Sequence, residues 1–256
     1  MGIGDEMMVT GHVRELRLKD PRKVRLDYGG KQVWSEVFDH NPGIARYDEA
    51  GDFQVYHARV NNLRPYCARK EYGRWTWKDY RPQIGEIFFT PEELAFAHRF
   101  TPDVVIEPSV KAKASPNKHW GLDRWRELIA MMLAAGLRPV QLGRAGTQWL
   151  PGAMRIETPT FRLACAVLAR ARAAVVHEGG MHHGAAAVGT RAVVIYGGFI
   201  SPQQTGYDTH VNLFTGGTPC GSRYVCRHCK NAMHAITPQA VMRHVSELCR
   251  TTTATL

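Results

Sequence analysis

Residues 178–183, Glu-Gly-Gly-Met-His-His, stand between an apolar run, "AAVVH", and an alanine-rich stretch, "GAAAVG". This pattern implies a strand followed at once by a helix. Glycine at the junction lets a backbone approach a ligand, and the first helical turn offers unpaired N–H groups at the positive end of the dipole. In chemical terms Glu178, Gly179, Gly180 and Met181 form a cradle for a phosphate; the alternative is a plain tight turn. Metal chelation by His182 and His183 is disfavoured, because successive helical side chains point about 100° apart while paired histidine ligands recur four positions apart. One of the two, taken as His183, is expected to face the site while the other packs or caps.

Three further groups could do chemistry. Lys118 lies in "KAKASPNKHWGLDRWRELI" with Lys111, Lys113 and His119, after an apolar run and before a helix, where lysine can neutralise a pyrophosphate. A solvated basic loop is the alternative. Asp5, in "GIGD", precedes the helical "EMMVTGHVREL"; it is either a general base for a hydroxyl acceptor or an N-cap. Cys220, Cys226 and Cys229, in "PCGSRYVCRHCKNAMH", have His228 and His234 close by. A C-x-x-C with a third cysteine and a following histidine can hold zinc, the candidate set being Cys220, Cys226, Cys229 and His234. A second C-x-x-C is absent, so free thiols are the competing reading.

The elements that must position these groups alternate from residue 104 onward. Strands are expected in "DVVIEPSV", "RPVQLG", "AAVVHE" and "RAVVIYGG", and helices in "HWGLDRWRELIAMMLAAG", "TFRLACAVLARA" and "GMHHGAAAVG". That order implies crossover units and a parallel sheet. The first part reads as a helix from Asp5 to Leu18, strands in "KVRLDY" and "GEIFFT", an apolar patch "FQVYH" and a helix "PEELAFAHRF". Residues 63–85 lack periodicity and are expected to form long surface loops or a lid carrying Arg64, Arg69, Lys70, Arg74, Trp75, Trp77, Lys78 and Arg81. The expected division is 1–103, 104–250 and a flexible tail at 251–256, with "RFTPD" as the linker. Ligands of such sheets lie beyond the carboxyl ends of the strands. Lys118 and Glu178 therefore meet only if their strands are neighbours.

A formal charge of +10 over 256 residues favours anionic partners such as nucleotides, nucleic acid or anionic membrane surfaces. No window approaches the roughly 18 to 20 apolar residues of a transmembrane segment. Asp5 and Glu6 stand where a signal peptide would be basic and then apolar, which points to a cytoplasmic location, free or at the membrane surface. Six cysteines in that setting read as reduced thiols or metal ligands. A nicotinamide-dependent dehydrogenase is a weaker reading, since no strand is followed by G-x-G-x-x-G.

Taken in order, "GIGD", "NKHWGLDRWRELI", "EGGMHHGAAAVG", "VVIYGG", "CRHC" and "AITPQAVMRHVSELC" resemble the blocks of glycosyltransferase family nine, which contains the lipopolysaccharide heptosyltransferases. The resemblance implies an α/β, GT-B-like fold of two Rossmann-type parallel-sheet domains with an interdomain cleft. It further implies an inverting, metal-independent transferase that requires no cofactor and takes a nucleotide-diphosphate sugar as donor. Asp5 would be the base, Lys118 would lie against the diphosphate, and Glu178, Gly179, Gly180, Met181 and His183 would bind the donor. Gly4, Lys111, Arg74 and Lys78 are weaker candidates for acceptor or phosphate contacts. The acceptor is expected to be a saccharide or glycolipid. Alternatives are a transferase acting on modified DNA bases, or a basic nucleic-acid-binding module with a vestigial sugar site. Glu178 and Gly179 stand where the family usually has Asp and Thr or Ser, so Gly179 is expected to act through its backbone N–H. Glu178 would be held off the phosphates, on ribose hydroxyls or a helix cap. The family's strand before "GIGD" is missing here; either it lies upstream or the first domain is shortened.

Overall fold

The computed structural model describes residues 2–59, 63–110 and 114–251, so Lys111, Lys113 and the tail from 252 onward lie outside the described residues. Helix α1 (Ile3–Lys19) has Gly2 as its N-cap, with Asp5 and Glu6 in its first turn and Arg17 and Lys19 in its last, charges that complement its dipole. Strand β1 (Val24–Asp27) pairs in parallel with β2 (Gln54–His57). Strands β3 (Cys67–Glu71) and β4 (Arg74–Trp77) form an antiparallel hairpin. Helix α2 (Pro91–His98) starts at Thr90, whose side chain and that of Glu93 cap each other's backbone N–H.

Two expectations for this part are corrected. Residues 63–85 are not simply loop. Tyr72 and Gly73, both at positive φ (47° and 70°), make the two-residue turn that matches the twist of a hairpin. The cue was hidden because Tyr occupies a turn position usually filled by Asn, Asp or Gly, and the flanking strands lack clean alternation. "GEIFFT" is not a strand. Among the described residues no strand pairs with it; Glu86 N donates to Thr10 Oγ1 at 2.7 Å, and Ile87 and Phe89 pack on the apolar cluster under α1.

From β5 (Val104–Glu107) the expected strands and helices appear among further ones: α3 (Leu122–Ala134), β6 (Pro139–Gly143), β7 (Met154–Glu157), α4 (Phe161–Leu168), β8 (Ala173–His177), α5 (Gly180–Ala187), β9 (Ala192–Gly197), the short α6 (Pro202–Thr205), β10 (Val211–Phe214), α7 (Arg227–Ala235) and α8 (Pro238–Thr251). The six strands are parallel, in the order β10-β9-β8-β5-β6-β7. The chain runs outward from β5 in both directions, the arrangement of a doubly wound sheet, and its switch point lies between β5 and β8. The edge strands β7 and β10 were not legible in the sequence. Only Ile156 is buried in β7, and β10 is half-buried throughout, so neither shows an apolar run.

Both sheet faces are covered. Trp125, Leu128 and Met132 of α3 and Val241, Val245 and Leu248 of α8 pack on one side. Val167, Leu168, Met181 and Ala185 of α4 and α5 pack on the other, in a cluster that also takes Met8, Tyr66 and Ala97 from the first part of the chain. The core is therefore continuous across residue 103. Among the described residues the parallel strands of the first part number only two, whereas the Rossmann-type sheet of the second part is complete. No helix among the described residues is long and apolar enough to cross a membrane.

Candidate functional site

Strands β5 and β8 are hydrogen-bonded neighbours, with Glu107 opposite Val176. Lys118, in a short 3-10 turn (Pro116–Lys118) after β5, therefore meets Glu178 at the end of β8. The Lys118 ammonium forms an ion pair with the Glu178 carboxylate, and Nζ also donates to the Glu178 carbonyl at 3.4 Å. The carboxylate is 5% exposed and the lysine side chain 15%. Burial opposes ionisation of Glu178, yet the Lys118 ammonium, assisted by Arg64, holds its carboxyl below the usual range. Thr205 Oγ1 donates to Glu178 Oε1 at 3.4 Å. Glu178 is thus kept by a cation and a hydroxyl, not by a helix cap.

The two glycines of the cradle do different work. A Cβ at Gly180 would lie 2.7 Å from Ile3 Cγ2, and one at Gly4 would lie 2.6 Å from His183 Cδ2. Both glycines exist so that α1 can touch α5. Gly179 has open space around it, but its N–H donates to His182 Nδ1 at 2.9 Å. The Gly179 N–H, expected to serve a ligand, is taken here by an imidazole three residues on. The first-turn N–H groups of Gly180 and Met181 have no acceptor inside the helix; the Met181 side chain is in the core.

The paired histidine rings touch at a tilt of 38°, with centroids 3.8 Å apart. His182 accepts from Gly179 through Nδ1 and donates Nε2–H to the Thr205 carbonyl at 2.8 Å, so both its nitrogens are engaged. His183 Nδ1 is 2.7 Å from the Tyr207 hydroxyl and its ring lies against Gly4, so it is buried in the interface between α1 and α5. Burial lowers His182 to about 4 and His177 to about 3, and lowers His183 well below the usual histidine value. An unfolded chain protonates these three rings near pH 6.5, while the folded chain does not until far lower pH. Their contribution to stability is therefore present above pH 6.5 and lost as pH falls toward 4. Glu107, pushed up to about 8 by burial, works in the opposite direction with one proton against three. Urea midpoints are expected to fall between pH 6.5 and 5. A flat profile would show that the rings are not held neutral.

Asp5 comes to the same place from the other half of the chain. It is the third residue of α1, not its cap; Gly2 N donates to its Oδ2 at 2.8 Å. Tyr66 OH donates to Oδ1 at 2.6 Å, and Arg64 Nε is 3.2 Å from Oδ2. Only 4% of Asp5 is exposed. Tyr66 was not singled out from the sequence; its only cue was proximity to Arg64. Trp75 and Trp77 of the hairpin lie against Phe199, which also sits 5.3 Å beneath the Lys118 ammonium, so the hairpin covers the site. The faces of Trp75 carry Arg64, Lys70 and Arg223 at 4.7, 4.6 and 5.1 Å. This aromatic surface is occupied by the protein's own cations and is not a free platform for bases. Arg74 and Lys78 are exposed on the outer side of the hairpin.

The cysteine cluster forms, with one ligand changed. Cys220, Cys226 and Cys229 converge with His228, their ligand atoms all within 4.8 Å of one another. His234 does not join them; it contacts Arg124 instead. On α7 it lies five residues beyond Cys229, a rotation of about 140° away.

No protein-family profile and no curated protein matches the sequence. Among solved structures, the chain is similar to a family nine glycosyl transferase from Veillonella parvula, with a TM-score of 0.67 at 13% identity over 98% of this chain and 96% of that one. It is also similar to the ADP-heptose lipopolysaccharide heptosyltransferase II of E. coli, at TM-score 0.50 and 18% identity over 67% of this chain and 55% of that one. The iron-containing dodecameric glycosyltransferase TibC from enterotoxigenic E. coli gives TM-score 0.50 and 16% identity, over 70% and 50%. The chain spans about half the length of the two E. coli proteins and nearly all of the Veillonella one.

Proposed function

With the fold of the family nine glycosyltransferases as the premise, we propose that this chain transfers a sugar from a nucleotide-diphosphate donor to a hydroxyl of an anionic saccharide or glycolipid, with inversion and without a metal in the chemical step. One observation carries the reading: Lys118 and the start of α5 meet at the switch point of the sheet, and the buried carboxylate of Asp5 is brought against the same helix by the contact of Gly4 with Gly180 and His183. The ADP-heptose heptosyltransferase II of E. coli, which shares the fold, supports a nucleotide-diphosphate sugar as the donor class.

In this mechanism Asp5 takes the proton of the acceptor hydroxyl as its oxygen attacks the anomeric carbon. The bond from that carbon to the diphosphate oxygen breaks, and the electron pair leaves with the diphosphate. A single displacement inverts the centre. Lys118, released from Glu178 as the donor enters, and the N–H groups of Gly180 and Met181 stabilise the leaving charge. Glu178, freed in turn, accepts from ribose hydroxyls. The closed hairpin excludes water from the donor.

The direct test is thermal unfolding with ADP, UDP, GDP and CDP at millimolar concentration. A nucleotide present at 100 times its Kd adds about 2.7 kcal/mol, which raises Tm by roughly 5–10 °C in a domain of this size. If none of the four raises Tm, the donor site is refuted.

A further inference from the structure

The thiols of Cys220, Cys226 and Cys229 and the imidazole of His228 take no part in the proposed transfer. Cys220 Sγ lies 3.6 Å from Cys226 Sγ and 2.9 Å from Cys229 Sγ, and none of the three is in a disulfide. A tetrahedral ion with metal–sulfur bonds of about 2.3 Å sets sulfur pairs about 3.8 Å apart, so small thiol rotations admit one. The surroundings are arranged for it. His228 Nε2 is 2.6 Å from the Gly216 carbonyl, which holds the proton on Nε2 and leaves the Nδ1 lone pair facing Cys229 Sγ at 3.9 Å. Ser222 N and Cys229 N each donate at 3.4 Å to the sulfurs of Cys220 and Cys226. A disulfide would use two of the sulfurs and leave a third thiol and an aimed imidazole unexplained.

The loop these residues close is the hub of the donor site. Trp75 N donates to Gly221 O at 2.9 Å and Arg223 N to Gly73 O at 2.8 Å, so Ser222 bridges Arg74 in antiparallel fashion at the edge of the hairpin. Asn117 Nδ2 and Ser115 Oγ donate to Ser222 O at 2.9 and 2.8 Å, tying in the turn that carries Lys118. Cys220 N and Gly221 N donate to Gly198 O and Phe199 O, at 2.9 and 3.0 Å, just beyond β9. We propose that Cys220, Cys226, Cys229 and His228 bind one tetrahedral soft divalent ion, zinc or ferrous iron. The ion is structural: it fastens the hub so that the hairpin and Lys118 are held over the donor space.

The experiment measures metal on the full chain, purified under reducing conditions and incubated with excess zinc or ferrous iron before desalting. The expected content is close to one ion per chain. Cys226→Ser and His228→Ala are each expected to weaken zinc at least tenfold in competition with a chromophoric chelator. His228 is exposed, so its variant tests the site even if the cysteine variant does not fold. Removing the ion with a chelator is expected to speed hydrogen exchange of the amides at 67–77 and 117–118 at least tenfold. Metal below one tenth per chain, or a disulfide between Cys220 and Cys229 found by mass under the same conditions, overturns the site. Metal bound with exchange unchanged on its removal overturns the clamp. A fall in nucleoside-diphosphate affinity on chelation is also expected and rests on the transferase reading; metal content and exchange do not.

Discussion

Asp5→Asn is expected to lower sugar transfer by about 10²- to 10⁴-fold, the range supplied by a positioned general base, while the Tm rise produced by a nucleoside diphosphate stays within a degree or two. The variant tests chemistry and not folding. Gly2 N donates to Oδ2 and Arg64 Nε lies 3.2 Å from it, and the Asn oxygen can keep that place. The amide then faces Tyr66, whose hydroxyl can turn from donor to acceptor. Asp5→Ala is the poorer probe because it leaves Arg64 and Tyr66 without their common acceptor. Transfer at close to the normal rate by the Asn variant would remove Asp5 from the mechanism and leave the donor site standing.

The second large effect is expected at Lys118. Lys118→Met leaves the Glu178 carboxylate buried without its cation, a change that costs about 3–5 kcal/mol in comparable pairs, and it also removes the proposed phosphate contact. Stability and donor binding are thus lost together in the single variant. Lys118→Met with Glu178→Gln separates them, because a neutral pair no longer buries a lone charge. The double variant should regain most of the urea midpoint yet show no Tm rise with any nucleoside diphosphate. Recovery of both would mean that Lys118 serves only to neutralise Glu178. Persistent instability in the double variant would mean that the hydrogen bonds of the pair, not its charges, hold the turn at 116–118.

Much of the second half was legible because its signals are local. The apolar runs of β5, β8 and β9 are buried on both faces, and such strands read directly as unbroken hydrophobic stretches. Helix α3 carries Trp125, Leu128, Ile129 and Met132 at helical spacing and ends at Gly136, which sits at φ 73°. The hairpin of β3 and β4 escaped because its order comes from partners far along the chain: Gly221 and Arg223 for its backbone, Phe199 for its tryptophans. "GEIFFT" misled for the mirror reason. Its residues suit a strand, but what lies beside them is α1.

The site divides along the same line. Residue types were enough to nominate Asp5, Lys118, Glu178 and the cysteines, since a carboxylate, an ammonium and three thiols carry their chemistry wherever they stand. Their partners were not readable. That β5 lies beside β8 makes Lys118 meet Glu178, and that α1 crosses α5 makes Gly4 and Gly180 contact points between helices as well. The choice of His228 over His234 follows from where α7 begins, because a helix starting at Arg227 turns one imidazole toward the thiols and the other away. Sequence periodicity reports which face of a segment is apolar, a property of a few adjacent residues. Which segments become neighbours is decided by burying those faces together, and the pairing of charges and ligands is settled only then.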